Sequence, residues 1–466
     1  MRNKLPIFLL SLLGFTSCDD TLDSRLSASI EADALITDLN SLNIATIGTY
    51  SIYQDEDLLG RTLLLLPALL SDNAYMNVFD NAGRYLDYDV YGQTEYDVYV
   101  AATWDDLYAV IAQTSVILRQ AEQIEFSEVE EANHYLGETH ALRALAFLYL
   151  QQFYAQPYNF SADGSHPGVP IPDFNLVGGV EIVEPSRNTT AEVYSQILND
   201  LNSAIDLLNE QQHGPERINL NAAKALLART YLNMENWEGA RDMADDVINS
   251  QNYSLVETDN YIDSWSLDSN SETIFTIVNN LSDNPGSGSI SYFYLDYVDA
   301  FASADLVSIH NDNDIRKELY PYSESEENYL VTKFPKFENS DDNIQVIRLS
   351  EMYLIKAEAH ARRPGETTEA QDALDAIRLR ANPQAAPATA AGGELLEAIL
   401  EERRKELAFE GFRLFDLTRT GTSFTKFRQN ESIEIDAPAN KTILPIPISE
   451  INRNPNINQE NQNPGY

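Results

Sequence analysis

Apolar and small residues recur at helical spacing along most of the 466-residue chain. The clearest case is residues 222–248, AAKALLARTYLNMENWEGARDMADDVI. Two antiparallel helices that pack through small residues, as in a tetratricopeptide repeat, give this spacing. The positions that carry the pattern are Leu227, Ala228, Tyr231, Ala240, Ala244 and Val247. The segment is therefore predicted to form a helix pair.

Three other regions show the same periodicity. Residues 348–362 and 369–382 predict a second helix pair, and residues 104–124 pair with a long helix over 131–154. A further helix is expected after RNTT, with Thr189 or Thr190 as its N-cap. Because stacked repeats share one continuous core, we expect one domain. The predicted fold is mainly α: a tetratricopeptide-like helical repeat scaffold with long irregular loop insertions.

Long stretches without helical periodicity separate these helices. They cover residues 71–99, 156–185 and 253–343, and the Ala- and Pro-rich run NPQAAPATAAGG. Loops of this length are uncommon without a purpose, and binding residues concentrate on loops held by a rigid frame. We therefore expect function to lie in these loops.

The N-terminus has the three-part layout of a secretory signal. Arg2 and Lys4 precede an apolar run from Leu5 to Leu13, and small residues lead to Cys18. The run is too short to span a bilayer about 30 Å thick, so a signal peptide is predicted over residues 1–17. The alternative is a buried N-terminal helix.

Cys18 is the one cysteine of the chain, so it has no disulfide partner within the chain. FTSC resembles the lipobox of bacterial lipoproteins, in which the cysteine becomes the acylated N-terminus. We expect Cys18 to be lipidated and residues 18–30 to form a tether. Asp19, Asp20 and Asp23 resemble the acidic tag that sends many Bacteroidetes lipoproteins to the cell surface, although a solvated linker has the same composition.

The chain carries 73 acidic and 31 basic residues, a formal net charge of −42. Such a surface repels nucleic acid and anionic lipid head groups, so neither is an expected partner.

Sequence motifs for catalysis and for metal binding are weak. Glu406 and Glu410 are one helical turn apart, a spacing expected by chance in so acidic a chain, and the six histidines include no close pair of the kind a zinc enzyme uses. Asp312 and Asp314 begin like a calcium loop, but the turn glycine and closing glutamate of an EF-hand are missing. We expect a protein that is not an enzyme and has no cofactor and no metal. The alternative for the metal is a calcium ion bound by another loop.

Clustered aromatics suggest a carbohydrate site instead. A sugar ring has an apolar face that flat aromatic side chains cover, while amides and carboxylates bind its hydroxyls. The loop 71–99 and the segment 292–297 combine both kinds of group. The predicted ligand-binding residues are Tyr85, Tyr88, Tyr292, Tyr294 and Trp265. The alternative for each of them is packing in the core.

Several segments resemble the RagB/SusD family of nutrient-uptake outer membrane lipoproteins of Bacteroidetes. They are ALRALAFLYLQQFYAQPY (141–158), PGVPIP (167–172), RLSEMYLIKAEA (348–359), ERRKELAFEGFRLFDLTRTG (402–421) and LPIPISEINRNPNINQENQNPGY (444–466). The last two are expected to be structural: KELAFEGFRLFDL as a helix in which Glu406, Glu410 and Arg413 pair locally, and LPIPISEI as an extended crossing segment.

The resemblance implies a single SusD-like domain over residues 31–466, with the two family halves meeting at about 270–300. It implies a non-enzymatic lipoprotein of the outer membrane, facing the exterior, that captures oligosaccharides or polysaccharides for a SusC-like TonB-dependent transporter. Two alternatives remain: a peptide-binding RagB-like uptake lipoprotein and a repeat-type protein–protein adaptor.

Overall fold

A computed structural model describes residues 35–175, 184–209, 214–429 and 431–466. The predicted signal peptide, Cys18 and the predicted tether lie outside these ranges. The described residues form fifteen α-helices. The helices are α1 Leu39–Tyr53, α2 Thr62–Leu69, α3 Val98–Ala121, α4 Val129–Tyr154, α5 Thr190–Leu207, α6 Leu220–Asn233, α7 Trp237–Asn249, α8 Tyr261–Ser264, α9 Ile290–Leu295, α10 Ala304–Ser308, α11 Leu349–Ala361, α12 Thr367–Ala381, α13 Gly392–Glu406, α14 Arg413–Arg419 and α15 Ile448–Arg453.

Ten short strands lie between the helices in the described part of the chain. They are β1 Ala74–Met76, β2 Pro167–Pro170, β3 Arg187–Thr189, β4 Thr273–Ile277, β5 Ala300–Ala302, β6 Tyr322–Ser323, β7 Asn328–Tyr329, β8 Ile344–Arg348, β9 Phe424–Phe427 and β10 Ser432–Ile435. One sheet has four strands in the order β1-β5-β7-β6, and β2-β3, β4-β8 and β9-β10 are two-stranded. All of these pairs are antiparallel. The mainly α fold class predicted from the sequence is confirmed.

The predicted helix pairs are present and stacked. α3 packs on α4, α6 on α7 and α11 on α12, while α5 joins α4 to α6 and α7 packs on α11. Small residues make close packing possible: Ala222, Ala240 and Ala244 are fully buried. At Gly137 of α4 an added Cβ would lie 2.7 Å from Leu208 Cγ, so a larger residue would force α4 and α5 apart.

The start of α5 follows the local sequence signal. The Thr189 side chain accepts a hydrogen bond from the backbone N–H of Glu192, and the Glu192 carboxylate accepts one from the backbone N–H of Thr189. This reciprocal capping box satisfies two amide groups that the first turn leaves unpaired. The prediction of an N-cap at Thr189 or Thr190 is confirmed at Thr189.

Apolar side chains from both halves of the chain share the main core. Its buried members extend from Tyr53 to Ile457 and include Leu142 of α4, Phe275 of β4 and Phe415 of α14. Among the described residues, no helix has the length and apolar character needed to cross a bilayer.

A network of buried ion pairs crosses the C-terminal half. Arg348 donates to Glu406 and to Glu410, each at 2.6 Å, and Arg316 donates to Glu406 at 2.9 Å. Lys333 Nζ lies 2.5 Å from Glu410. Burial alone would raise the pKa of Glu406, but the cationic groups around it, Arg380 first, hold that pKa well below its ordinary value. Glu406 is therefore a buried carboxylate that stays ionised.

The motif KELAFEGFRLFDL is not one helix, contrary to the sequence expectation. α13 ends at Glu406 and α14 begins at Arg413, and between them Phe409 and Gly411 have φ values of 66° and 88°. Close approach to α2 requires the break, because an added Cβ on Gly411 would lie 3.0 Å from the carbonyl oxygen of Leu63. The predicted local pairing is also wrong. Arg413 donates to Asp72, 341 residues earlier in the chain.

The expected extended crossing is present in LPIP, whereas the ISEI half of the segment is wrongly predicted, because α15 begins at Ile448. Leu444 donates its backbone N–H to the carbonyl oxygen of Phe153 at 2.6 Å, and Ile448 donates to that of Glu95 at 2.9 Å. The C-terminal Tyr466 donates its hydroxyl to the carbonyl oxygen of Ile443. These contacts fix the C-terminus against α4 and against the loop that precedes α3.

Candidate ligand-binding surface

The structure brings together the two loop segments that the sequence singled out. β1 pairs with β5, which follows the 292–297 segment directly. The backbone N–H of Asn77 donates to the carbonyl oxygen of Asp299 at 2.7 Å, and Arg84 Nε donates to the Asp299 carboxylate at 2.7 Å. The loop 71–99 and the segment 292–297, which begins within α9, therefore form one continuous region of the molecule.

Tyr85 and Tyr88 lie on the inner side of this region. Tyr85 is 2% exposed; its hydroxyl accepts from Arg61 Nε at 3.0 Å and lies 2.7 Å from Thr62 Oγ1. Its ring stacks on Tyr99 with centroids 3.9 Å apart. Tyr88 is fully buried and donates to Asp97 at 2.9 Å. Burial raises the pKa of both phenols above the ordinary value.

Tyr294 and Trp265 are also buried. The Tyr294 ring packs edge-on against Phe409 of the C-terminal motif, with centroids 5.6 Å apart. Trp265 packs against Tyr261, and Lys333 Nζ lies 4.4 Å from its ring centroid.

The expectation that these four residues offer ring faces to a ligand is wrong. Their rings pack against other side chains of the protein, some of them neighbours in the sequence and some far along the chain. The residues concerned are Tyr85, Tyr88, Tyr294 and Trp265.

Tyr292 differs from its neighbours because of helix geometry. Ser289 caps α9 by accepting from the backbone N–H of Tyr292 at 3.2 Å. In the following turn Phe293 and Tyr294 are buried, whereas Tyr292 remains half-exposed. Its ring meets that of Tyr297 edge-on, with centroids 4.8 Å apart. Of the predicted binding tyrosines, Tyr292 is the one whose ring reaches the surface.

Charged and aromatic side chains surround this tyrosine pair. The Arg84 guanidinium carbon lies 3.8 Å from the ring centroid of Tyr297. Asn77 anchors the adjoining turn by accepting from the backbone N–H groups of Phe79 and Asp80. We call this region the outer surface; its residues are Phe79, Asp80, Arg84, Tyr292, Asp296 and Tyr297.

No local sequence pattern indicates Arg84, because its position depends on Asp299, which is 215 residues away. The structure identifies Arg84 as a cation whose partner, Asp299, follows the segment 292–297. Phe79 and Tyr297 belong to the aromatic clusters of the two loops, but periodicity did not distinguish them from buried neighbours. Burial raises the pKa of Asp299, and the Arg84 guanidinium opposes that rise.

The backbone beneath the outer surface is strained. Val298 has a φ of 51°, a left-handed value that is unfavourable for a β-branched residue. The Asn77 side chain donates to the Val298 carbonyl oxygen at 3.1 Å and holds this conformation. Strained residues that persist because their surroundings fix them concentrate at binding sites.

Three carboxylates near the start of α3 have the spacing of a cation site. Oxygens of Asp55, Asp57 and Asp106 all lie within 4.8 Å of one another. Burial, followed by the charge of Asp55, raises the pKa of Asp57 to about 7, and burial raises that of Asp106 to about 6. Carboxylate oxygens are ligands that suit Ca²⁺. Asp55 is exposed, however, and no other feature of the described residues indicates a bound ion, so we assign no metal to this acidic cluster.

Glu406 and Glu410 do not form an acid–base pair. Both are buried and both form ion pairs with Arg348. A general acid in a glycosidase needs a raised pKa in a cleft, whereas the pKa of Glu406 is lowered. The two glutamates serve the fold.

Two family models match the chain. The model described as "Starch-binding associating with outer membrane" matches residues 20–232, and the model described as "SusD family" matches residues 310–466. A SusD-like protein of Formosa agariphila is 25% identical over the full length of both chains. The starch-binding protein SusD of Bacteroides thetaiotaomicron is 34% identical over 27% of this chain and 22% of its own length.

Solved structures share the fold. A SusD superfamily protein of Bacteroides thetaiotaomicron superposes with a TM-score of 0.84 at 28% identity, covering 92% of this chain and all of the other. A putative sugar binding protein of Bacteroides vulgatus gives 0.81 at 29% identity, over 93% and 99%. The matched stretches include the five segments whose resemblance to this family was noted in the sequence. The chain therefore belongs to the SusD-like family.

Proposed function

We propose that the protein binds an oligosaccharide or polysaccharide at the outer membrane surface and delivers it to a SusC-like TonB-dependent transporter. The observation that carries this proposal is the outer surface, where Tyr292 and Tyr297 reach solvent beside the hydrogen-bonding groups of the other outer-surface residues. The description of the matching starch-binding family and the sugar-binding relative support the carbohydrate class.

The outer surface suits capture rather than conversion. Aromatic rings cover the C–H face of a sugar, and Arg84, Asp80 and Asp296 are positioned to bind hydroxyl groups. An open surface leaves the ends of a polymer free. Affinity is expected to be modest, because stacking on one face buries little area and each hydrogen bond replaces one to water.

Electrophoresis of the purified protein through native gels that contain single polysaccharides tests the carbohydrate proposal. A cognate polymer should retard the protein, and the same incubation should release no reducing ends. Release of reducing ends would identify a hydrolase. Binding to peptides with no retardation by any glycan would favour the RagB-like alternative, and affinity for a protein partner alone would favour an adaptor.

Membrane attachment is proposed to depend on Cys18. In a strain that lacks the transporter, a Cys18→Ala variant should leave the outer membrane fraction. Its retention there would contradict lipid anchoring. In the wild type, mild detergent extraction should recover the protein with a large β-barrel transporter, and consistent recovery of the protein alone would contradict the proposed delivery partner.

A further inference from the structure

The charges of the outer surface are predominantly negative. Asp80 and Asp296 are exposed, and the carboxylate of Asp299, with 2% of its side chain exposed, lies directly beneath them. The charge of Asp80 acts on Asp299 and raises its pKa further. A ligand that stacks on Tyr292 or Tyr297 therefore comes close to several carboxylates.

The cations of this region are already engaged. Arg84 Nε donates to Asp299 Oδ2 at 2.7 Å, and Arg84 Nη2 lies 2.6 Å from the same oxygen. The guanidinium also lies over the ring of Tyr297. Arg61 is buried, where it donates to Tyr85 and to the carbonyl oxygen of Gly288. An anion that recruited Arg84 would have to displace Asp299, which is buried and would lose its counter-charge.

We propose that the outer surface is selective for uncharged glycans and excludes polymers that carry carboxylate or sulfate groups. This inference rests on the proposed function and adds the ligand class. Like charges on the surface and on the polymer repel each other, and the net charge of −42 adds a long-range term of the same sign. The Asp299 carboxylate neutralises the charge of the Arg84 guanidinium, which can then bind hydroxyl groups without attracting an anion.

Matched polymers test the proposal. Starch, laminarin, galactan and mannan are each compared untreated and after oxidation of the C6 alcohols to carboxylates, alongside natural alginate and carrageenan. The untreated form of at least one polymer should bind with an affinity that salt leaves unchanged. Its oxidised form should bind at least tenfold more weakly at 10 mM salt, and about 0.3 M salt should recover part of the loss, because it screens charges beyond a few ångströms.

Two double variants locate the source of the selectivity. Asp80→Asn with Asp296→Asn should narrow several-fold the ratio between the affinities for the untreated and the oxidised polymer, because the amides carry no charge. The control is Glu369→Gln with Asp372→Asn, two exposed positions on α12, a helix that carries none of the outer-surface residues. It changes the net charge by the same amount and should leave the ratio between the two affinities unchanged.

Each outcome decides a different claim. Equal or tighter binding of an oxidised or natural anionic polymer, weakened by salt, would overturn the selectivity while supporting carbohydrate binding. Equal effects of the two double variants would assign the selectivity to net charge and overturn the role of the outer surface. Retardation by no glycan of either kind would overturn the proposed function together with this inference.

Discussion

Tyr88 and Tyr292 belong to the same two-loop region but to different layers of it. Tyr88 is fully buried, and its hydroxyl donates a hydrogen bond to Asp97. Tyr292 is half-buried, and its ring packs edge-on against that of Tyr297. Tyr85 connects the layers, because it packs on Tyr88 and, edge-on, on Phe293 beside Tyr292. The inner layer therefore serves as the rigid support on which the outer surface is built, and stability and binding should separate between the layers.

The largest effect is expected from removal of an inner ring. Tyr88→Ala leaves a cavity in the main core and removes one of the hydrogen-bond donors to Asp97, so the free energy of unfolding should fall by about 3–5 kcal/mol. Denaturant unfolding measures this change. Tyr292→Ala is the matched control and should cost less than about 1 kcal/mol. Similar losses in both variants would remove the distinction between the layers.

A smaller loss is expected from an inner hydroxyl alone. Tyr85→Phe keeps the stack on Tyr99 but deprives Arg61 Nε of its acceptor, so the free energy of unfolding should fall by about 1–3 kcal/mol. Tyr297→Phe removes a hydroxyl at the outer surface and should leave the free energy of unfolding unchanged. Denaturant unfolding measures both variants. A neutral Tyr85→Phe would show that the Arg61 contact contributes nothing to stability.

Binding should respond in the opposite order. Tyr292→Ala is expected to weaken retardation by a cognate polysaccharide at least tenfold, about 1.4 kcal/mol, while the melting temperature stays within a few degrees of wild type. Phe160→Ala, at an exposed aromatic beside His166, is the matched control and should bind normally. Unchanged binding in Tyr292→Ala and Tyr297→Ala would place the ligand away from the outer surface.

The smallest expected effect is a pH dependence from Asp57, whose main chain accepts from Thr103 near the inner layer. Its pKa is raised from 3.8 to about 7, so the folded chain binds a proton more tightly than the unfolded chain. Stability from this group is therefore present at low pH and is lost as pH rises from about 4 to 7. Asp57→Asn should raise the melting temperature at pH 8 and change it little at pH 4.

Thermal unfolding across this pH range, in the presence of a chelator, measures the effect. Asp372→Asn, an exposed acid on α12, controls for net charge. If the melting temperature of Asp57→Asn depended on pH as steeply as that of the wild type, the raised pKa of Asp57 would be contradicted.

Local signals in the sequence were sufficient for much of the scaffold. The cap at Thr189 and the small residues of α6 and α7 depend on neighbours a few positions away, and they were predicted correctly. Which loop tyrosines are buried depends instead on Arg61, Phe409 and other residues far along the chain, which periodicity does not reveal. The break after Glu406 has the same origin, since the Leu63 carbonyl requires glycine at position 411.

The ion pairs of Asp72 and Asp89 have a consequence for biosynthesis. Asp72 binds Arg413, and Asp89 binds Arg428, 339 residues later in the chain. Asp72 also contacts Arg404, and Asp89 contacts Lys426. A ribosome completes the loop 71–99 long before it adds any of these cations, so a nascent chain holds two aspartates whose native surroundings do not yet exist. The loop 71–99 is thus translated early but acquires its native ion pairs late, and a chain terminated before residue 404 lacks all four basic partners.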